Sequence, residues 1–255
     1  MTDIHSHLIY RMDDGARDLE ESIALLKEAE SIGITNLILT PHYMEENEQQ
    51  AKQIEEKIEI LKQRAKQEQI SINLYSGNEI PAKKNIGELL YEKKVFPLAD
   101  SQYILVQLPK NKNKVNLDDL INEVLEEGFT PIFASPERCP FVQENMNLLI
   151  KWMEKGVLFQ ANLGSILGIY GRKEKKTVLK LLNYHMIHFL AFDVHRKGTI
   201  YPKFPEIEKS IKKILTDEEW EELVVNNPEK ILQKEEIQIK IPEEVNKRPF
   251  WNLLK

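Results

Sequence analysis

Cysteine is almost absent from this chain. Cys139 is the single thiol in 255 residues, so no disulfide can form within it and no sulfur-rich zinc or iron–sulfur site can be built. A reducing, cytoplasmic setting is the expectation that follows. A surplus of positive charge is missing too. The 35 basic and 41 acidic side chains leave a formal charge of −6, whereas a general nucleic-acid binder is basic. No apolar run approaches the roughly 18 residues of a membrane span. The opening Met1-Thr2-Asp3-Ile4-His5 lacks the basic stretch and apolar core of a signal peptide. No Gly/Ser-rich or Pro-rich linker and no internal repeat interrupts the sequence, so one domain is expected.

Short apolar runs alternate with longer amphipathic ones. Strands are expected over Asp3–Ile9, Ile34–Thr40, Ile72–Ser76, Tyr103–Leu108, Thr130–Ala134, Val157–Ala161 and His188–Phe192. Helices are expected over Leu19–Ile32, Asn47–Gln69, Leu117–Glu127, Asn145–Glu154, Glu174–Tyr184, Pro205–Leu215 and Asp217–Val225, with a short one opening at Asn227-Pro228. Asp18 suits the N-cap of the first helix, with Glu21 at the capping-box position and Gly33 as its stop. Strands this apolar, each followed by a helix, suit a parallel sheet buried on both faces, hence an α/β class. Residues 1–233 read as the domain and 234–255 as a tail with a basic-aromatic tip, Lys247-Arg248-Pro249-Phe250-Trp251, either mobile or packed back on the domain. That tip is expected to make a weak contact with an anionic membrane surface.

Histidine is scarce, at six, but its placement is informative. His5 and His7 are two apart on the first strand, so both point to one face. Asp13-Asp14-Gly15 follows in the next loop. The second strand ends in Thr40-Pro41-His42, the third in Gly77-Asn78-Glu79, the sixth at Asn162 and the seventh in Asp193-Val194-His195. Any one of these is weak evidence, since a lone His-x-His or a Glu after a strand is usually incidental. Together they put metal-capable groups on the C-terminal rim, where barrel-type folds build their sites. A donor set of nitrogen and oxygen suits manganese, iron or zinc. Several carboxylates among several imidazoles suggest more than one ion, and paired ions bind phosphate, acidify water and stabilise a leaving oxygen. His185 and His188 fall at the opposite rim and are expected to be structural.

The run Asp3-Ile4-His5-Ser6-His7, Asp13-Asp14-Gly15 and Glu20-Glu21-Ser22 resembles the PHP-type (polymerase and histidinol phosphatase) bacterial protein-tyrosine phosphatases of capsule and exopolysaccharide operons. Pro131 to Arg138, Asp193-Val194-His195 and Asn227-Pro228 extend the resemblance to about Leu232. It implies a distorted seven-stranded (β/α) barrel with a trinuclear centre, manganese first among the candidate ions. It implies, as substrate and partner, the phosphotyrosine tail of a bacterial tyrosine kinase, at which a cytoplasmic enzyme would meet the membrane. Carried over by position, His5, His7, Glu79 and Asp193 hold one ion, and Asp14, His42 and His195 a second. A third would share Glu79 and take ligands after the fourth and fifth strands. There the family usually has Glu and His, and this chain has Gln107 and Ser135, so the third site is expected to be weak or empty. Arg138 is the expected catalytic residue, a fork for phosphate oxygens, unless it pairs with Glu137 or another carboxylate. Cys139 is not a nucleophile on this reading, because position 145, where a cysteine-dependent phosphatase needs Arg, is Asn. Two alternatives remain: a pseudophosphatase that binds the kinase without turnover, and a small-molecule phosphatase of histidinol-phosphate type.

Overall fold

The computed structural model describes residues 1–47, 49–83, 85–111 and 115–242. Along the chain run β1 (Thr2–Asp3), α1 (Leu19–Ser31), β2 (Asn36–Leu39), α2 (Gln50–Gln67), β3 (Asn73–Ser76), β4 (Glu79–Pro81) and α3 (Ile86–Tyr91). Then come β5 (Tyr103–Gln107), α4 (Leu117–Glu126), β6 (Thr130–Ala134), α5 (Pro140–Glu144), α6 (Asn147–Met153), β7 (Leu158–Asn162), α7 (Leu163–Leu167), α8 (Arg172–Asn183) and β8 (Phe189–Ala191). The order ends with α9 (Phe204–Ile211), α10 (Asp217–Glu221), a π turn over Glu222–Asn226 and α11 (Asn227–Gln233). None of the described helices is long and apolar enough to cross a membrane. The basic-aromatic tip expected over 247–255 lies outside the described residues.

Every strand pairing is parallel, as the buried apolar strands implied. The closed seven-stranded barrel is not what the described residues form. The strands make two sheets, β1-β2-β3 and β4-β5-β6-β7-β8, neither closed on itself. The count differs because Gly77-Asn78 breaks the third run, and Glu79–Pro81 starts a new strand paired with β5. Among the described residues the backbones of the two sheets are bridged at two isolated parallel pairs, Ser6 with Val194 and His42 with Glu79. The first strand also stops early, at Asp3, so His5 and His7 lie beyond it rather than on it.

Strand alternation sorts the core into two layers. Ile4, just past β1, and Ile38 of β2 cluster with Leu105, Ile132, Leu158 and Phe189 of the second sheet, so the two sheets share one apolar interior. The intervening residues, Leu37, Leu39, Ile104, Val106, Phe133 and Phe159, face the helices. Asp3 braces the interior: its carboxylate accepts from the backbone N–H of His5 and Phe192 and from the Tyr201 hydroxyl.

Local signals in the sequence account for the helix ends. Asp18 caps α1 through the Glu21 N–H at 2.9 Å. Glu21 does not close the capping box; its carboxylate takes the Arg17 N–H and the Arg196 guanidinium instead. Gly33 follows at φ 84°, a conformation that costs glycine little. Past α11 the chain packs back on the domain. Tyr103 donates its hydroxyl to the Glu235 carbonyl and accepts the Ile237 N–H, and Ile237 is buried. The short helices α3, α5 and α7 had no periodic signal strong enough to be anticipated.

Candidate metal centre

The two lone bridges are where the polar residues meet. Beyond β1 the chain stays extended: His5 accepts from the Asp193 N–H and His7 donates to the Val194 carbonyl, both at 3.0 Å. This lays His5 and His7 against Asp193 and His195. The second bridge does the same for His42 and Glu79, with the Tyr43 N–H donated to the Glu79 carbonyl at 2.9 Å. Asp193 takes a left-handed φ of 51°, which turns the chain at the end of β8. All seven metal-capable residues anticipated from the sequence therefore lie on one rim.

Their donor atoms converge. His5 Nε2 lies 3.2 Å from His7 Nε2, 3.4 Å from Asp193 Oδ1 and 3.4 Å from Glu79 Oε2. His7 Nε2 lies 3.4 Å from Asp193 Oδ1 and 3.6 Å from Glu79 Oε2. Their tautomers are set from behind. His5 Nδ1 faces Gln160 Oε1 at 2.8 Å, and His7 Nδ1 faces Asp13 Oδ2 at 2.7 Å. Both acceptors fix a proton on Nδ1, so Nε2 is the nitrogen that each ring turns toward the other and toward two carboxylates, where either a second proton or a metal ion satisfies it. Such an arrangement demands positive charge at its centre. Burial by itself would lower the basicity of both imidazoles. The Asp193 and Glu79 carboxylates override it for His5, raised to about 9, and the Asp13 and Asp193 hydrogen bonds override it for His7, raised well above the ordinary range. Donors about 2.1 Å from a shared ion sit about 3.0–3.4 Å apart, close to the separations here, so the residues fit a metal ion.

A second group adjoins the first. His7, Asp14, His42 and His195 each offer a donor atom, all within 4.8 Å of one another. Asp14 Oδ1 lies 3.4 Å from His195 Nε2 and 3.6 Å from His42 Nε2. His42 Nδ1 reaches Glu79 Oε2 at 2.8 Å, and the His195 ring stacks on His7 with centroids 3.9 Å apart. Glu79 is buried, and burial opposes its charge. The charge of His5 and the hydrogen bond from His42 nonetheless hold its carboxyl well below the usual range. No third cluster of His, Cys, Asp or Glu occurs among the described residues. Gln107 is exposed at the end of β5, and the Ser135 hydroxyl donates to Asn162 Oδ1 at 3.0 Å.

Sequence reasoning placed Asp13, Gly15 and Asn162 at this rim without giving them a role, and missed Gln160. Asp13 orients His7, accepts the His42 N–H at 2.9 Å and closes a turn on the Gly15 N–H at 2.8 Å. Gly15 is required there, because a Cβ would collide with the His7 carbonyl. Gln160 and Asn162 point the same way from β7. Gln160 Nε2 donates to Asn162 Oδ1 at 2.8 Å, and Asn162 Nδ2 donates to Asp193 Oδ2 at 2.7 Å. A glutamine inside the apolar run Leu158-Phe159-Gln160-Ala161-Asn162 was the available signal. Arg138 Nη1 sits 3.0 Å from Asp193 Oδ2, so its carboxylate partner is not Glu137. Glu137 turns inward instead, accepting from the Asn162 N–H and the Ser165 hydroxyl, and burial raises it to about 7.

The other candidates stay out of the site. His188 is buried on the far side and accepts the Phe159 N–H at Nδ1; burial lowers it to about 4. His185 is exposed beside Glu219 at 3.5 Å. Cys139 is buried, and desolvation raises its thiol to about 12, unsuited to a nucleophile.

A sequence profile of the family described as capsular polysaccharide synthesis, CpsB/CapC, matches residues 1–233. A CapC protein of Staphylococcus aureus is 30% identical over 252 residues, 98% of either chain. The tyrosine-protein phosphatase YwqE of Bacillus subtilis is 34% identical over 202 residues, 78% of this chain and 79% of that one. Among solved structures, one of a study of YwqE from Bacillus subtilis and CpsB from Streptococcus pneumoniae, described as metal-dependent tyrosine phosphatases, superposes with a TM-score of 0.88. It is 30% identical and covers 96% of this chain and 99% of that one. A dihydropyrimidinase from Brevibacillus agri shares the fold alone, at a TM-score of 0.58 and 10% identity, over 96% of this chain and 73% of that one.

Proposed function

The chain belongs to the CpsB/CapC family of capsular polysaccharide synthesis, and from that premise we propose that it is a metal-dependent protein-tyrosine phosphatase. Its substrate on this reading is the phosphorylated tyrosine tail of a kinase in capsular or exopolysaccharide synthesis. The observation that carries it is the meeting of His5 and His7 Nε2 with Asp193 and Glu79, beside an arginine able to grip phosphate. The two sheets, joined by lone bridges at that rim, are read as an opened (β/α) barrel. The histidinol-phosphate reading sits poorly with membership of this family.

His5, His7, Glu79 and Asp193 would hold one divalent ion, and Asp14, His42 and His195 a second, with manganese the proposed metal and iron or zinc the alternatives. Ions so held would supply charge to the phosphate oxygens, an acidified water and support for the departing oxygen. Gln160 and Asp13 keep the two imidazoles in the tautomer that presents Nε2. Asn162 holds Asp193 from behind, leaving Oδ1 toward the imidazoles. Arg138 carries further N–H donors beyond the one spent on Asp193, and its side chain is 43% exposed, so it can grip the phosphate oxygens of the bound ester. Gln107 and Ser135 leave the third site weak, since Ser135 is already engaged with Asn162.

That same feature supports a second reading, a pseudophosphatase. The test is to load purified protein with Mn²⁺, count bound ions by mass spectrometry, and assay p-nitrophenyl phosphate and a phosphotyrosine peptide. Two ions per chain with turnover on both is the expected result. Two ions with no turnover would transfer the case to the pseudoenzyme, and Gln107→Glu with Ser135→His should then restore activity. Failure to bind any divalent ion would end the reading as a metal-dependent phosphatase.

A further inference from the structure

Tyr170 is built into the rim by an unusual turn. Between α7 and α8, Gly168 and Gly171 both take positive φ, 80° and 135°, which L side chains adopt only under strain. The turn folds Tyr170 back over α7. A Cβ at Gly164 would come within 3.0 Å of its ring, so glycine there makes the seat for it. On the other side the guanidinium carbon of Arg138 lies 4.5 Å from the ring centroid. Arg138 is thus bounded by an aromatic wall on one side and by the Asp193 carboxylate, 3.0 Å away, on another. A long side chain that is 43% exposed would otherwise sample many rotamers.

We propose that Tyr170 is a positioning residue for phosphate binding: its ring fixes the guanidinium plane of Arg138, so that the fork is already aimed when a phosphomonoester arrives. The inference rests on reading Arg138 as the phosphate-gripping group. Ring stacking, not the hydroxyl, supplies the effect, because a guanidinium over an aromatic face gains a preferred plane as well as attraction.

The test titrates Mn²⁺-loaded protein with orthovanadate, a phosphate mimic, by calorimetry, which needs no turnover. Tyr170→Leu should weaken vanadate binding about fivefold with the manganese count unchanged, and Tyr170→Phe should restore it to within about twofold. In turnover assays the same loss should appear in KM rather than kcat. Arg138→Ala should bind more weakly still, and adding Tyr170→Leu to it should cost nothing further, since the ring then has nothing to hold. If Leu unfolds the turn, Tyr170→Met carries the same expectation. Wild-type affinity in the aliphatic variants, equal loss in Phe and Leu, full additivity with Arg138→Ala, or loss of manganese alongside vanadate would each overturn the inference. Unchanged binding in Arg138→Ala would instead bring down the reading of Arg138 and the inference with it.

Discussion

Asp13→Asn is a sharp probe of the rim because Asp13 is no proposed ligand yet orients the His7 imidazole and holds the backbone of His42. Its Oδ2 accepts from His7 Nδ1 at 2.7 Å and from the His42 N–H at 2.9 Å, while Oδ1 accepts from the Gly15 N–H at 2.8 Å. Burial opposes its charge, but these three donors, His7 foremost, hold the carboxyl at about 2. Asparagine keeps the volume and loses the charge. One of its two ends must now face a donor with N–H. If the amide nitrogen faces His7, the imidazole flips its proton to Nε2, the atom that lies 3.2 Å from His5 Nε2 at the heart of the donor cluster. If the nitrogen faces Gly15, the turn that carries Asp14 opens. Loss of such an orienting partner typically costs about 10–100-fold in metal affinity, or about 1.4–2.8 kcal/mol. His7 is a ligand of the first proposed ion, and Asp13 also holds the backbone of His42, a ligand of the second, so both ions should weaken together. Competition of Mn²⁺ against a chelating dye reads the affinity, and circular dichroism checks that the fold survives. A fully folded Asp13→Asn protein that binds both ions within twofold of wild type would refute the tautomer argument.

Gly15→Ala should abolish manganese binding and lower stability by about 1–3 kcal/mol, because the new methyl group meets the His7 carbonyl and comes within 2.9 Å of Asp13 Oδ1; an unchanged melting temperature would contradict this. Chelation with EDTA should lower the melting temperature of the loaded protein, since an ion at one hundred times its Kd contributes about 2.7 kcal/mol; identical melting with and without chelator would show that the rim needs no cation. His188 gives a pH dependence of known sign. Burial lowers it to about 4 from the ordinary 6.5, so the unfolded chain binds the extra proton first. Its contribution is complete above pH 6.5 and is lost as pH falls toward 4, about 2 kcal/mol of it by pH 5. Asn at this position can still accept the Phe159 N–H, so His188→Asn in EDTA should lose less stability than wild type between pH 7 and 5; parallel denaturation curves would refute the assignment.

What could be read in the sequence was whatever lies within one short segment. Thr130–Ala134 was legible to the residue, because a bounded apolar run leaves a strand little choice. The i, i+2 spacing of His5 and His7 worked even though β1 ends at Asp3, since an extended backbone alternates with or without a ladder. The same rule, applied to Gln160 and Asn162 in an apolar run, would have found the groups behind His5 and Asp193. What stayed hidden depends on contacts between distant segments. Nothing local says that Glu137 turns inward while Arg138 turns out to Asp193, because the tight turn over Pro136–Arg138 sends neighbouring side chains apart. Nor could the break after Ser76 be seen, since Glu79 pairs with Leu105 only in the folded sheet. That break has a physical logic. Regular parallel strands stand about 4.8 Å apart with side chains perpendicular to the sheet, whereas these donor atoms approach to 3.2–3.6 Å from several segments at once. Regular pairing and that convergence are incompatible at one place, so the ladder gives way to single bridges, at Ser6 with Val194 and His42 with Glu79, where the imidazoles and carboxylates come together.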